Sequence, residues 1–142
     1  MSDSIFQELN RAWGPHTVDR FATDSNAKCG RFNSKIWVPG TEGVNSFSVM
    51  WSGEINWCVP PPSVIPRVLS KFAHERAIGT LVVPRWNSAP YWPVLCHENK
   101  WSDFITDVRF FPAAGHIVVG KVSNKMFEQL KFGMVACKIQ FN

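Results

Sequence analysis

Few side chains in this 142-residue sequence combine the type and the spacing that chemistry needs. A two-metal nuclease or integrase site needs several carboxylates converging on its ions. Only Asp19 falls on an expected core strand, whereas Glu42, Glu54, Glu75, Glu98, Asp103 and Asp107 read as loop or surface positions. Cys29, Cys58, Cys96 and Cys137 are scattered, with no Cys-x-x-Cys pair and no matching histidine spacing, so a zinc site is not expected. They read instead as reduced thiols of an intracellular protein, nuclear or cytoplasmic. Cys96-His97 are chain neighbours without an Asn or Asp partner, and His16, His74, His97 and His116 read as surface or internally satisfied rings. Ser52-Gly53 and Gly40-Thr41-Glu42-Gly43 are turn glycines rather than phosphate loops. Nucleic-acid binding is the chemistry that survives. Arg20, Lys28, Arg31 and Lys35 gather around one loop; Arg67, Lys71 and Arg85 follow a proline-rich turn; and Trp86, Tyr91 and Trp92 lie in the loop Arg85–Pro93. Cations against phosphates and aromatic faces against bases suit single-stranded or distorted nucleic acid, DNA or RNA. The competing reading is a solvated basic face on a chain of net charge +4.

The elements that must position these residues follow from hydrophobic periodicity. Ser4 and Gln7 form a capping box for a helix in which Phe6, Leu9 and Trp13 repeat at helical spacing before Gly14-Pro15. His16–Ala22 is a short strand candidate, 23–34 a polar loop, Lys35–Val38 a brief strand, and 39–54 irregular. Ile55–Val59 is a strand broken by three prolines. Ile65, Val68, Leu69, Phe72 and Ala73 share one face of a helix with Ser63 as N-cap and Gly79 as stop. Thr80–Val83 then reads as a buried parallel strand, completing a βαβ unit. Strands are expected at Phe104–Phe111 and His116–Lys121, and a helix near Asn124–Phe132. In the last strand Val135, Cys137, Ile139 and Phe141 face the core and Ala136, Lys138 and Gln140 face away. Trp13, Trp37, Trp51 and Trp57 read mostly as core. The expectation is one α/β domain over 1–142, with a mixed sheet, helices packed on it and an antiparallel C-terminal strand. No run is long and apolar enough for a membrane helix, and the N-terminus lacks a secretory pattern.

Several segments together carry a resemblance. They are Trp13-Gly14-Pro15-His16-Thr17-Val18-Asp19-Arg20-Phe21-Ala22, Arg31-Phe32-Asn33-Ser34, Trp51-Ser52-Gly53, Cys58-Val59-Pro60-Pro61-Pro62-Ser63, Gly79-Thr80-Leu81-Val82-Val83-Pro84 and Ser88-Ala89-Pro90-Tyr91-Trp92-Pro93. Asp19-Arg20-Phe21-Ala22, Asn26-Ala27-Lys28-Cys29, Trp51-Ser52-Gly53 and Pro60-Pro61-x-Ser63-x-Ile65 are similar in order to the phage-type Dam family of DNA N6-adenine methyltransferases. Trp13–Ala22, Arg31–Ser34, Val59-Pro60-Pro61, Gly79–Pro84 and Ser88–Pro93 resemble more closely the Dam-like region that follows the reverse transcriptase and RNase H domains of DIRS/Ngaro-type tyrosine-recombinase retroelements. The resemblance covers roughly residues 5–95.

The resemblance implies a reduced Rossmann-like methyltransferase fold with S-adenosylmethionine at the strand ends, and Asp19, Phe21, Ala22 and Asn26 as its contacts. The family's Asn/Asp-Pro-Pro-Tyr/Phe motif falls on Val59, Pro60, Pro61 and Pro62. There the first side chain accepts the target amine's protons and the ring stacks on the extruded base. Valine accepts nothing, and proline at 62 has no aromatic face. Asn56, an odd number of positions away, faces the other side of the strand. No glycine-rich turn follows Asp19, and the interval to Pro60 is short. The first expectation is therefore no cofactor, with S-adenosylmethionine as the alternative. The leading reading is a catalytically degenerate domain that binds nucleic acid or supports a reverse transcriptase within a polyprotein. An active adenine methyltransferase and a structural, protein-interaction module are the two rivals.

Overall fold

In the computed structural model, which describes residues 3–23, 25–111 and 133–141, apolar periodicity decides the helices. Helix α1 (Asp3–Trp13) turns Leu9 and Trp13 inward. It starts at Asp3, so Ser4 and Gln7 lie inside it rather than capping it. Helix α2 (Ile65–Glu75) buries Ile65, Val68, Leu69 and Phe72. Burying each such side chain contributes roughly 1.5–3 kcal/mol; Ala73, expected on that face, is exposed. Two expected helix signals do different work. Ser63 sits in a single 3-10 turn (Pro62–Val64), and the α2 cap residue Val64 offers no side-chain hydrogen bond. Pro66 in the first turn needs no N–H partner, which lets the helix start without a polar cap. At the other end Arg76, in the left-handed conformation at φ 50°, ends α2. Gly79 lies beyond it, inside the next strand.

The strands are β1 (Val18–Asp19), β2 (Arg31–Phe32), β3 (Ile55–Cys58), β4 (Ile78–Pro84), β5 (Cys96–His97), β6 (Lys100–Trp101), β7 (Ile105–Phe111) and β8 (Met134–Gln140). Six of them form a mixed sheet in the order β2-β1-β3-β4-β8-β7. The first four are mutually parallel, and β8 runs antiparallel to both β4 and β7. The βαβ unit β3–α2–β4 is present, and the C-terminal strand is antiparallel as expected.

The alternation of β4 and β8 sorts the core into two layers. Leu81, Val83, Val135, Cys137 and Ile139 join α2 in one cluster, while Val82, Ala136 and Trp57 join α1 in the other. The outward face of β8 was expected to meet solvent. Instead Ala136 packs with Leu9 and Trp13 of α1 and is fully buried, while Lys138 and Gln140 are half-buried.

Three further expectations change. The strand expected over Lys35–Val38 is an exposed turn; pairing falls earlier, at Arg31–Phe32, where Phe32 is buried and Arg31 bonds Glu42 and Glu54. Trp37, grouped with the core tryptophans, is 71% exposed. The aromatic loop leads into a short helix α3 (Trp92–Leu95) and the hairpin β5–β6, whose Glu98 and Asn99 both have positive φ, as a tight two-residue turn requires. The strand at His116–Lys121 and the helix near Asn124–Phe132 lie outside the described residues.

Candidate functional site

β1 sits between β2 and β3, and all three run parallel. The chain leaves β1 toward one side and returns on the other, which makes a topological switch point, the place where open α/β sheets leave a crevice beyond their strand ends. A cleft of about 780 Å³ lies there. Its walls are the segments that leave the carboxyl ends of the parallel strands. Arg20–Thr23 and Asn26 follow β1, Ser34–Ile36 follow β2, and Val59–Pro61 follow β3; Asn45–Phe47 and the start of α2, with Arg67, close the rest. A shallower groove of about 550 Å³ along α2 shares Phe47 and Arg67 with it.

Asp19 does not line this cleft. It is buried, and its carboxylate accepts the Lys28 N–H at 2.9 Å and the Phe21 N–H at 3.3 Å. Burial holds its carboxyl above the ordinary aspartate value, with those two N–H groups pulling the other way. Asp19 therefore shapes the loop after β1 from outside the cleft lining, unlike the other three residues expected as cofactor contacts. Phe21, Ala22 and Asn26 do reach the cleft. Val59, Pro60 and Pro61 line it too, while Pro62 is exposed outside it. Asn56 is fully buried: its amide donates to the carbonyls of Trp51 at 3.0 Å and Ile78 at 2.9 Å, and accepts from Arg20 Nε at 2.7 Å. It ties β3 to its neighbours and is not a displaced amine acceptor.

The basic residues separate into groups. Arg20 is 5% exposed, and its guanidinium donates to Asn56 Oδ1, to Asn33 Oδ1 at 2.6 Å and to the Met50 carbonyl at 3.2 Å. Lys28 pairs with Asp3, Arg31 with Glu42 and Glu54, and Lys71 with Glu75. The two carboxylates raise the Arg31 guanidinium above its already high value, and Arg31 in return lowers Glu54. Arg85 lies 4.7 Å from the Phe110 ring, away from the cleft. Lys35 and Arg67 are exposed at the cleft and make no ion pair among the described residues. So of the seven cations only Arg20, Lys35 and Arg67 come together at the site.

The three aromatics expected as a stacking platform, Trp86, Tyr91 and Trp92, do not line the cleft. Tyr91 is buried and donates its hydroxyl to the Pro84 carbonyl at 2.5 Å, with burial pushing the phenol up to about 12. Trp86 and Trp92 are half-buried against the α2-side core. Apolar context explains this: Leu95 and the β5–β6 hairpin draw the segment inward, with Trp92 edge-on to Trp101 at 5.9 Å. The aromatics at the cleft are others. Phe47 stacks on Trp51 at 6.0 Å, meets Phe21 edge-on at 5.7 Å, and carries the Arg67 guanidinium 4.1 Å above its ring. Trp37 projects from the turn whose Lys35 and Ile36 line the cleft. Phe47 gave no signal because it lies in an irregular stretch. Trp37 gave one, its neighbours Lys35 and Pro39-Gly40, which mark a solvated turn.

The remaining reactive groups have structural settings. All four cysteines are free, and burial raises the thiols of Cys29 and Cys137 to about 12 and that of Cys58 well above its ordinary value. Among the described residues no cluster of three metal-ligating side chains occurs, and no helix is long and apolar enough to cross a membrane. No protein-family model matches the chain, and a comparison with curated proteins finds no match.

Proposed function

We propose that the chain is a Rossmann-like domain of the methyltransferase type that has lost methyl transfer and binds nucleic acid, in the setting of a retroelement reverse transcriptase. The observation that carries this reading is the cleft at the switch point with Val59-Pro60-Pro61 in its wall, where the resembled family holds its amine acceptor. The retroelement setting rests on the sequence resemblance alone.

The composition of the cleft supports a loss of catalysis. Methyl transfer to an exocyclic amine needs the nitrogen lone pair turned toward the sulfonium, in line and close. That orientation comes from an acceptor of the amine protons. Two amide side chains line the cleft, and both carbonyls are engaged by their own loops: Asn26 Oδ1 accepts the Thr23 N–H at 2.7 Å and Asn45 Oδ1 the Phe47 N–H at 3.1 Å. No carboxylate lines the cleft among the described residues. The same composition fits S-adenosylmethionine poorly. Besides its carboxylate that cofactor carries a sulfonium and an ammonium, and its ribose hydroxyls need acceptors; among the described residues the cleft sets Arg20, Lys35 and Arg67 against these two cations and offers no acid.

Three measurements on the full chain test this reading. Calorimetric titration with S-adenosylmethionine should give no saturable heat, a methyl-transfer assay on DNA should give no product, and a labelled single-stranded oligonucleotide should bind with an affinity that falls as salt rises. Measurable methyl transfer would make the chain an active enzyme. Absence of oligonucleotide binding by the folded protein would leave a structural or protein-interaction module.

A further inference from the structure

Arg20 is set apart by its partners. The guanidinium is almost wholly buried, yet its three hydrogen bonds go to two side-chain amides and one backbone carbonyl, all neutral. No ion pair among the described residues includes it. The nearby acids Glu42 and Glu54 are held by Arg31 instead. A guanidinium has five N–H donors; among the described residues three hydrogen bonds engage it, and the Trp51 ring centroid lies 5.7 Å from its central carbon. A charge taken out of water without a counter-charge is costly and is ordinarily paired. Arg20 also lines the cleft, and Lys35 and Arg67 add two more cations at its edge. Among the described residues no acid pairs with Arg20, and a ligand can bring that negative charge.

We propose that the cleft is a phosphate-ester site, taking the phosphoryl group of a nucleotide with Arg20, Lys35 and Arg67 as its counter-charges. The proposal rests on the nucleic-acid reading above and specifies its ligand. Arg67 is the pre-oriented member, its planar guanidinium lying over Phe47 at 4.1 Å, and a planar fork suits phosphate oxygens better than a point charge. Phe21 and Val59, in the same walls, give the sugar and base apolar cover that a bare inorganic anion would not use.

The test is a calorimetric titration of the full chain with deoxyadenosine 5′-monophosphate, with deoxyadenosine and inorganic phosphate as separate probes. The monophosphate should bind at least about tenfold more tightly than the nucleoside, weaken with salt, and compete with a labelled single-stranded oligonucleotide. The double variant Lys35→Gln/Arg67→Gln, changed only at exposed positions, should keep its melting temperature and lose about tenfold or more in monophosphate affinity. Arg20→Gln should lose more, and the surface variant decides the matter if that protein does not fold. Equal binding of nucleoside and monophosphate, or no effect of the double variant, overturns the proposal. Oligonucleotide binding that the monophosphate does not displace would overturn it while leaving the nucleic-acid reading intact on another surface. Monophosphate binding without oligonucleotide binding would do the reverse. Inorganic phosphate binding as well as the monophosphate would reduce the site to an anion hole with no nucleotide character, which also overturns it.

Discussion

His16 shows how much of this protein's polarity is internal. Its ring is buried, edge-on to Trp57 at 5.1 Å, with Nδ1 2.8 Å from Asn10 Oδ1 and Nε2 2.6 Å from Thr80 Oγ1. Because an amide oxygen only accepts, Nδ1 carries the proton and Nε2 accepts from the Thr80 hydroxyl. Desolvation lowers this histidine from its ordinary 6.5 to about 4. Between those values the unfolded chain binds more protons than the folded one, so stability rises with pH through the window. The contribution is complete above about 6.5 and falls by roughly 3 kcal/mol as the pH drops to 4, levelling below that. Denaturant unfolding followed from pH 7.5 to 4 should show this slope, and His16→Leu should flatten it. Asp19, raised by its own burial, slopes the opposite way at the acid end and is common to both proteins. An unchanged slope in the variant would mean that His16 is not the group responsible.

At the scale of elements, Gly79 limits how β3 and β4 approach. The two strands pair in parallel with Asn56 opposite Gly79. A Cβ added at Gly79 would lie 2.4 Å from the Asn56 carbonyl oxygen and 2.9 Å from its Cβ. Neither can move without disturbing the ladder or the Asn56–Arg20 bond. Gly79→Ala should therefore destabilise the fold by about 1–3 kcal/mol, against a small gain where a glycine has room. Chemical denaturation would measure it, and a neutral or stabilising result would mean that β3 and β4 can separate freely. The sequence suggested Gly79 as a helix stop, since glycine commonly follows a helix. The contact that requires glycine comes from a residue 23 positions away, as the Asn56–Gly79 pairing shows. Local pattern was sufficient where an element buries its own periodic face. That is why α2, β3, β4 and the alternation of β8 were legible. It was insufficient where a segment is held by distant partners, as β2 is by Asp19 and Glu54 and the Tyr91 segment by Pro84. The site divides along the same line. Val59-Pro60-Pro61 and Phe21-Ala22 reach the cleft because strand ends place them there, whereas no local signal could have sent the Arg20 side chain inward to Asn56 and Asn33.

The sheet as a whole is uneven. β4 and β8 pair at seven register positions, from Ile78↔Gln140 to Pro84↔Met134, while β1 pairs with each neighbour at two. Both layers of the core converge on β4, through Leu81 and Val83 on one side and Val82 on the other. The cleft lies on the thin half, among the segments that leave β1, β2 and β3. Opening that half breaks few ladder bonds and exposes little of the main core, so it is cheaper than unfolding the molecule. Amide exchange should accordingly be graded across the sheet. Protons of Val82 and Ala136 would leave only when the whole domain opens, and those of Ala22, Asn33 and Glu42, whose acceptors are the carbonyls of Asn33, Asp19 and Phe32, well before. A ligand in the cleft would then slow exchange on one side of β3 and leave the far side untouched, so that occupancy could be seen as an asymmetry within a single sheet.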